Sequence, residues 1–287
     1  MDIDDILGNY EERYFGAGHR RTKYAIGKVV KLDSNRYAAD AKVGLNKENW
    51  SKKKGIEQTV HLSTIDSIIL SCLMFEKINN HKNLNNFYLY KFKFRAGKKP
   101  IEYTKSIKIQ IFNILFNDKN ISFKTEIEGM KISIELKKSN MQNKINNIQD
   151  NKRRFIDHHL TDTHLNVKDI NYIDKTVLTA NISRKRDRNI EYCGLGSNLK
   201  QKLSILEWLV VFSQLGEALA YNYDNVLRED SNNMWMKRIV ATCDENIDCD
   251  SSIVEMKGKK WRILKEKCSD NNNKVEFEAQ ITHELPY

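Results

Sequence analysis

Residues 61–78 read HLSTIDSIILSCLMFEKI, and residues 202–221 read KLSILEWLVVFSQLGEALAY. Leu62-Ser63-x-x-Asp66 in the first stretch returns as Leu203-Ser204-x-x-Glu207 in the second, a displacement of 203 − 62 = 141 positions. After the opening turn both stretches are apolar on nearly every helical face. A helix of that kind must be covered on nearly every side. Which elements cover it therefore decides the fold.

The flanks answer with strands. FYLYKFKFRAG (87–97) alternates Tyr88, Tyr90, Phe92 and Phe94 with Lys91 and Lys93. SIKIQIFNILF (106–116) alternates Ile107, Ile109 and Ile111 with Lys108 and Gln110. ISFKTEIEGMKISIELKK (121–138) reads as a hairpin turning near Glu128-Gly129, and an earlier hairpin turns at Asp33-Ser34-Asn35. The second half repeats the order: strand-like segments near 170–184, the second helix from about Ser204 to Asn222, then NMWMKRIVATC, SSIVEMKGKKWRILKEKC and KVEFEAQITHEL. Each half is thus about two strands, one apolar helix and several antiparallel strands. One curled sheet wrapped around one helix satisfies that inventory, so the expectation is an α+β tandem, or double, hot-dog. Its domains are expected at 1–140 and 168–287, with a polar linker over 141–167.

Composition narrows the partners. The chain has 287 residues, 40% of them hydrophobic, with a formal charge of 48 − 38 = +10. Its opening, MDIDDILGNY, lacks an apolar leader, and both apolar helices carry polar groups, so neither a secretory nor a membrane-spanning segment is expected. Five cysteines without CxxC spacing fit reduced thiols in the cytoplasm. The positive charge suits an acidic partner such as an acyl carrier protein, or is a lysine-rich solvated surface. No nucleic-acid motif is visible, so no nucleic-acid or membrane partner is expected.

Three separated segments carry a family resemblance: Ile3–Tyr24 (IDDILGNYEERYFGAGHRRTKY), Val60–Leu70 (VHLSTIDSIIL) and Leu203–Arg238. Together, and in this order, they resemble the avirulence D protein family of bacteria. The resemblance implies an enzyme of signal or secondary-metabolite biosynthesis that joins a β-ketoacyl chain to a ketose such as xylulose, as in syringolides. It also implies kinship with butenolide synthases, which use a three-carbon sugar phosphate. The substrate would be an acyl thioester on a carrier protein or coenzyme A, with no other cofactor. A dehydratase or thioesterase, and a non-catalytic binding protein, remain alternatives on the same fold, as a monomeric pseudo-dimer or a homodimer.

The two acids at the helix starts have two readings. Ser63-x-x-Asp66 and Ser204-x-x-Glu207 both have capping-box spacing, which explains serine and acid without chemistry. A carboxylate among apolar walls also suits general acid–base work. The two halves differ at one further position. Glu207 is followed seven residues later by Gln214, with Glu217 three beyond, whereas the first helix has Asp66, Leu73 and Glu76. The expected catalytic residues are therefore Glu207, His61 and Asp66, with Gln214, Ser63 and Ser204 binding substrate. Arg20 and Arg21, in the glycine-flanked RYFGAGHRR, are candidates for holding a phosphate. Trp235 and Arg238 are candidates for the wall of the acyl channel. RRFIDHHLTDTHL holds three histidines and two aspartates at a spacing that matches no standard metal site, so it reads as a polar connector and no metal is expected. Cys72 reads as a small core residue.

Overall fold

The computed structural model describes residues 1–44, 50–79, 84–101, 106–140, 152–186, 190–199, 202–231, 234–244, 252–258, 263–270 and 273–282. In chain order the first half holds α1 (Ile3–Leu7), β1 (Lys23–Ile26), β2 (Val30–Asp33), β3 (Arg36–Gly44), β4 (Lys52–Lys53) and β5 (Ile56–Glu57). There follow α2 (Thr64–Asn79), β6 (Phe87–Arg95), β7 (Ile107–Phe116), β8 (Asn120–Ile127) and β9 (Met130–Lys138). The second half opens with β10 (Arg153–Arg154), α3 (Phe155–His158), β11 (Thr163–Asp174), β12 (Val177–Arg186) and β13 (Tyr192–Cys193). It closes with α4 (Ile205–Asp224), β14 (Trp235–Cys243), β15 (Ser252–Gly258), β16 (Ile263–Asp270) and β17 (Asn273–Thr282). Of the stretch 141–167 expected to be a linker, 141–151 lies outside the described residues; 152–167 carries β10, α3 and the start of β11.

Thirteen strands form one antiparallel sheet in the order β1-β3-β7-β8-β9-β6-β14-β17-β16-β15-β12-β11, with β2 also paired to β3. The order reads the same from either end when β1 is exchanged for β11, β3 for β12, β7 for β15, β8 for β16, β9 for β17 and β6 for β14. The molecule is therefore a pseudo-dimer of two equivalent halves, joined where β6 pairs antiparallel with β14. Both joining strands carry an irregularity at the matching place, between Leu89 and Lys91 and between Met236 and Arg238. In β6 it shifts the alternation: Tyr88, Leu89, Phe92 and Phe94 are buried, while Tyr90 turns out to a half-buried position with the Lys137 ammonium 4.7 Å from its ring centre.

Each helix lies against the inner face of its own half-sheet. Residues 65–76 of α2 are all buried, as are 205–216 of α4, and both belong to one continuous core. The expected hairpin turn at Glu128-Gly129 is present, with both residues at positive φ (46° and 86°), the geometry a two-residue hairpin turn demands. The segments preceding each half-sheet cross over. α1 packs on α4, and α3 packs on α2, so each long helix is covered partly by the other half's leading arm.

Candidate functional site

The start of α2 is a closed hydrogen-bonded unit. Asp66 Oδ2 accepts the Ser63 backbone N–H (2.9 Å), and Ser63 Oγ accepts the Asp66 N–H (3.1 Å), completing the capping box. Asp66 Oδ1 accepts the hydroxyls of Tyr14 (3.0 Å) and Tyr24 (2.7 Å), and the Tyr14 hydroxyl also meets Ser63 Oγ at 2.6 Å. Burial, then the neighbouring Asp66 charge, push the Tyr14 hydroxyl well above the ordinary tyrosine range. Asp66 is fully buried. It anchors the helix start and Tyr14.

The start of α4 repeats the cap with a different environment. Glu207 Oε2 accepts the Ser204 N–H (2.7 Å), and Ser204 Oγ accepts the Glu207 N–H (3.2 Å). Glu207 Oε1 pairs with the Arg186 guanidinium; the side chains are 0% and 4% exposed. Burial works to raise the Glu207 carboxyl. Arg186, His159, Arg184 and the Ser204 N–H outweigh it and hold the group below the usual value. His159 Nδ1 lies 2.6 Å from the Phe155 carbonyl and Nε2 lies 2.8 Å from Ser204 Oγ. A carbonyl only accepts, so Nδ1 carries the hydrogen and Nε2 accepts from the serine. Burial lowers His159 to about 4, which keeps it neutral. This Ser–His pair is walled in by core, with Phe155 stacked on the imidazole at 4.2 Å. The histidine-rich connector thus inserts His159 into the interior, contrary to its polar reading.

The expected grouping of Glu207, Gln214 and His61 in one site does not form. Gln214 Oε1 accepts from Arg13 Nη1 (2.9 Å) and Nε2 faces the Val210 carbonyl at 3.5 Å, so it is a satisfied core amide. The cleft that does exist lies between the start of α2, the middle of α4 and the N-terminal arm. About 1020 Å³ of free space lies within and in front of it, open solvent at the mouth included. Its apolar wall includes Phe94, Met130, Met234, Trp235 and Met236, and its polar groups include Arg13, Lys53, His61, Ser63, Ser213, Glu217 and Arg228. Of the expected site residues, His61, Ser63 and Trp235 line this cleft. Lys237 caps Trp235, its ammonium 3.3 Å from the ring centre. Arg238 is exposed, opposite Arg95 in the β14–β6 register, and takes no part.

Arg20 and Arg21 are also outside the cleft. Arg20 binds the Thr161 carbonyl (3.0 Å) and Arg21 pairs with Glu11. The glycines beside them serve packing: a Cβ on Gly16 would overlap the Tyr10 carbonyl, and one on Gly18 the Trp50 carbonyl. Among the described residues no cluster of His, Cys, Asp or Glu is arranged to hold a metal.

His61 sits half-buried against Trp50, ring centres 4.8 Å apart, with Nδ1 3.2 Å from the Thr59 carbonyl. Burial lowers its pKa, so the ring is neutral near pH 7, with Nε2 left as the basic nitrogen. In the sequence Glu217 stood out only as the acid one turn beyond Gln214. It makes no hydrogen bond to any described residue. Burial raises its carboxyl, against the opposing pull of Arg228, Arg13 and Lys53. Lys53 is drawn down to about 8 by burial, with Glu217 pulling the other way. Lys53 Nζ binds the Ser231 carbonyl (2.9 Å), and Arg228 binds the Lys52 carbonyl (3.1 Å) and Ser51 Oγ (3.2 Å). Arg13 is buried and paired with Asp4.

Two half-sheets, each wrapped around its own helix and fused edge to edge, define a tandem hot-dog protein. The fold is shared with a tesB protein of Mycobacterium avium subspecies paratuberculosis, at a TM-score of 0.52 and 4% identity over 90% of this chain and 96% of that one. More distant are an acyl-CoA thioesterase II of Mycobacterium marinum (0.48; 7%; 90% and 96%) and the dehydratase domain of a curacin polyketide synthase module (0.45; 10%; 90% and 97%). No curated protein matches the sequence at a significant level. The profile of the Pseudomonas avirulence D protein, AvrD, matches residues 1–270, and the chain belongs to the AvrD family.

Proposed function

We propose that this chain takes a β-ketoacyl group from a thioester and joins it to a small sugar-like acceptor, as in syringolide and butenolide formation. The observation that carries the reading is the cleft at the start of α2, lined by apolar side chains and by a set of polar groups. An acyl chain suits the methionine and aromatic wall. The thioester carbonyl suits the positive end of α2, where the first-turn amides favour developing negative charge. His61 is the group that takes the acceptor's hydroxyl proton. The oxygen then bonds to the acyl carbon, the C–S bond breaks, and the thiolate leaves with that proton. The following carbon–carbon condensation is redox-neutral, so no further cofactor is invoked.

The carrier is proposed to be an acyl carrier protein or coenzyme A in the cytoplasm, and the +10 charge of the chain favours an acidic carrier. Among the described residues no helix is long and apolar enough to cross a membrane.

Purified protein given a β-ketoacyl pantetheine thioester with xylulose or a triose phosphate tests the reading. The expected result is acceptor-dependent thiol release and an adduct containing both carbon skeletons, with His61→Ala slowed about 100-fold or more. Thiol release without any acceptor would make the protein a thioesterase. Loss of water from a β-hydroxyacyl thioester would make it a dehydratase. Tight binding with no turnover would make it a binding protein.

A further inference from the structure

We propose that Glu217 is a catalytic residue: the general base that removes the proton from the carbon between the two carbonyls of the β-ketoacyl chain. The assignment rests on the acyl-thioester reading above. It comes from geometry that the helix-start acids lack. Asp66 and Glu207 are both fully buried, with each carboxylate held by its own cap. Glu217 is half-buried, lines the cleft and makes no hydrogen bond to a described residue.

The opposite half supplies the control. Displacing Glu217 by the same 141 positions gives Glu76 on α2. Its Oε1 accepts the Leu195 backbone N–H at 2.6 Å, and the chain at Gly194 lies so close that a Cβ there would overlap the carboxylate. Lys53 is the residue displaced by 141 from Gly194. Backbone of the second half closes over Glu76, whereas toward Glu217 the first half presents a lysine side chain and an open cleft.

Three further groups lining this cleft point to a ligand oxygen. Ser213 Oγ, one turn before Glu217, is buried without a hydrogen-bond partner among the described residues, as are Arg13 Nε and Trp50 Nε1. Unpaired buried donors are costly, and an enolate or thioester oxygen is the acceptor they lack. In the step assigned to Glu217 the C–H bond breaks and an O–H bond forms on the carboxyl. The electron pair is left shared over the two carbonyls. When that carbon attacks the acceptor carbonyl, the proton returns to the new alkoxide, leaving Glu217 ionised again. Burial raises the Glu217 carboxyl above its ordinary value, with Arg228, Arg13 and Lys53 pulling the other way, and a raised carboxylate is the stronger base.

The test isolates proton removal from transfer. A β-ketoacyl pantetheine thioester is mixed with the protein in heavy water without acceptor, and deuterium uptake at the carbon between the carbonyls is followed by mass spectrometry above the buffer rate. The wild type is expected to accelerate uptake, Glu217→Gln to fall to background, a loss of about 100-fold or more, and Glu217→Asp to recover part of it. Glu76→Gln should exchange like the wild type. Circular dichroism of each variant checks the fold. Uptake by folded Glu217→Gln at the wild-type rate, or no acceleration by the wild type, overturns the assignment. Uptake that depends on Glu217 with no adduct from any acceptor keeps the base and removes the joining reaction instead.

Discussion

The two halves present the same parts and use them differently. At the helix starts, Asp66 shares its charge with two tyrosine hydroxyls, whereas Glu207 pairs with a buried arginine. Farther along the helices, Glu217 faces a cleft and Glu76 faces backbone. In one half the helix start therefore borders open space, and in the other it is packed solid. Each of the two matching places combines the start of one long helix with the far part of the other: the start of α2 with Glu217 of α4 stays open, and the start of α4 with Glu76 of α2 is closed.

Breaking the Glu207–Arg186 pair should produce the largest change. Arg186→Met leaves a fully buried carboxylate without its cation, and Arg186 Nε also gives up its bond to Thr163 Oγ1 (2.7 Å). Removing one member of a buried pair typically costs about 3–5 kcal/mol. Denaturant unfolding at pH 7 should show a loss of that size, partly regained at acid pH as Glu207 protonates. A loss under 1 kcal/mol would mean that the buried pair at the start of α4 does not hold that place closed.

The Glu76 carboxyl should give the next effect, and its sign is informative. Burial raises it to about 7, against the Leu195 N–H and then Arg154, which work to lower it. A folded-state value above the unfolded one means that the native state holds the proton more tightly. Its contribution is present in full below about 4.5, declines as pH rises, and is gone above about 7. The span is worth on the order of 3 kcal/mol. The stability of wild type relative to Glu76→Gln should therefore fall between pH 5 and 8. A flat difference would show the carboxyl to be ionised throughout, and so as available as Glu217.

How much of this was legible in the sequence follows from the range of each interaction. The helices and their caps were legible because a capping box spans three residues and an apolar helix shows in any window. The strand segments showed in alternation and turns. The site was less legible, for a geometric reason. At about 100° per residue, Glu207 and Gln214 share one face of α4, but Ser213 and Glu217 lie roughly a quarter-turn away. A seven-residue spacing drew attention to the face that packs against the N-terminal arm. Arg13, Lys53 and Arg228 meet Glu217 from three segments far apart in the chain, and no local spacing records that. The crossing of the leading arms, which brings Arg13 to Gln214 and His159 to Ser204, is equally invisible to periodicity. One signal was available: Glu76 and Glu217 are themselves 141 positions apart, as are Arg154 and Arg13.

Asp66→Asn sets the lower end of the scale. The amide keeps an oxygen for the Tyr14 and Tyr24 hydroxyls, but its NH₂ cannot accept the Ser63 N–H that Oδ2 now holds. A lost cap bond and the loss of favourable charge at the positive helix end together cost about 1–2 kcal/mol. The variant should unfold at lower denaturant by that amount and retain its response to acceptor in the thiol-release assay within a few-fold. A 100-fold loss of turnover in a folded Asp66→Asn protein would instead place the first helix-start acid in the chemistry. The division between a carboxylate that holds the site and one that works in it would then have to be drawn elsewhere than between Asp66 and Glu217.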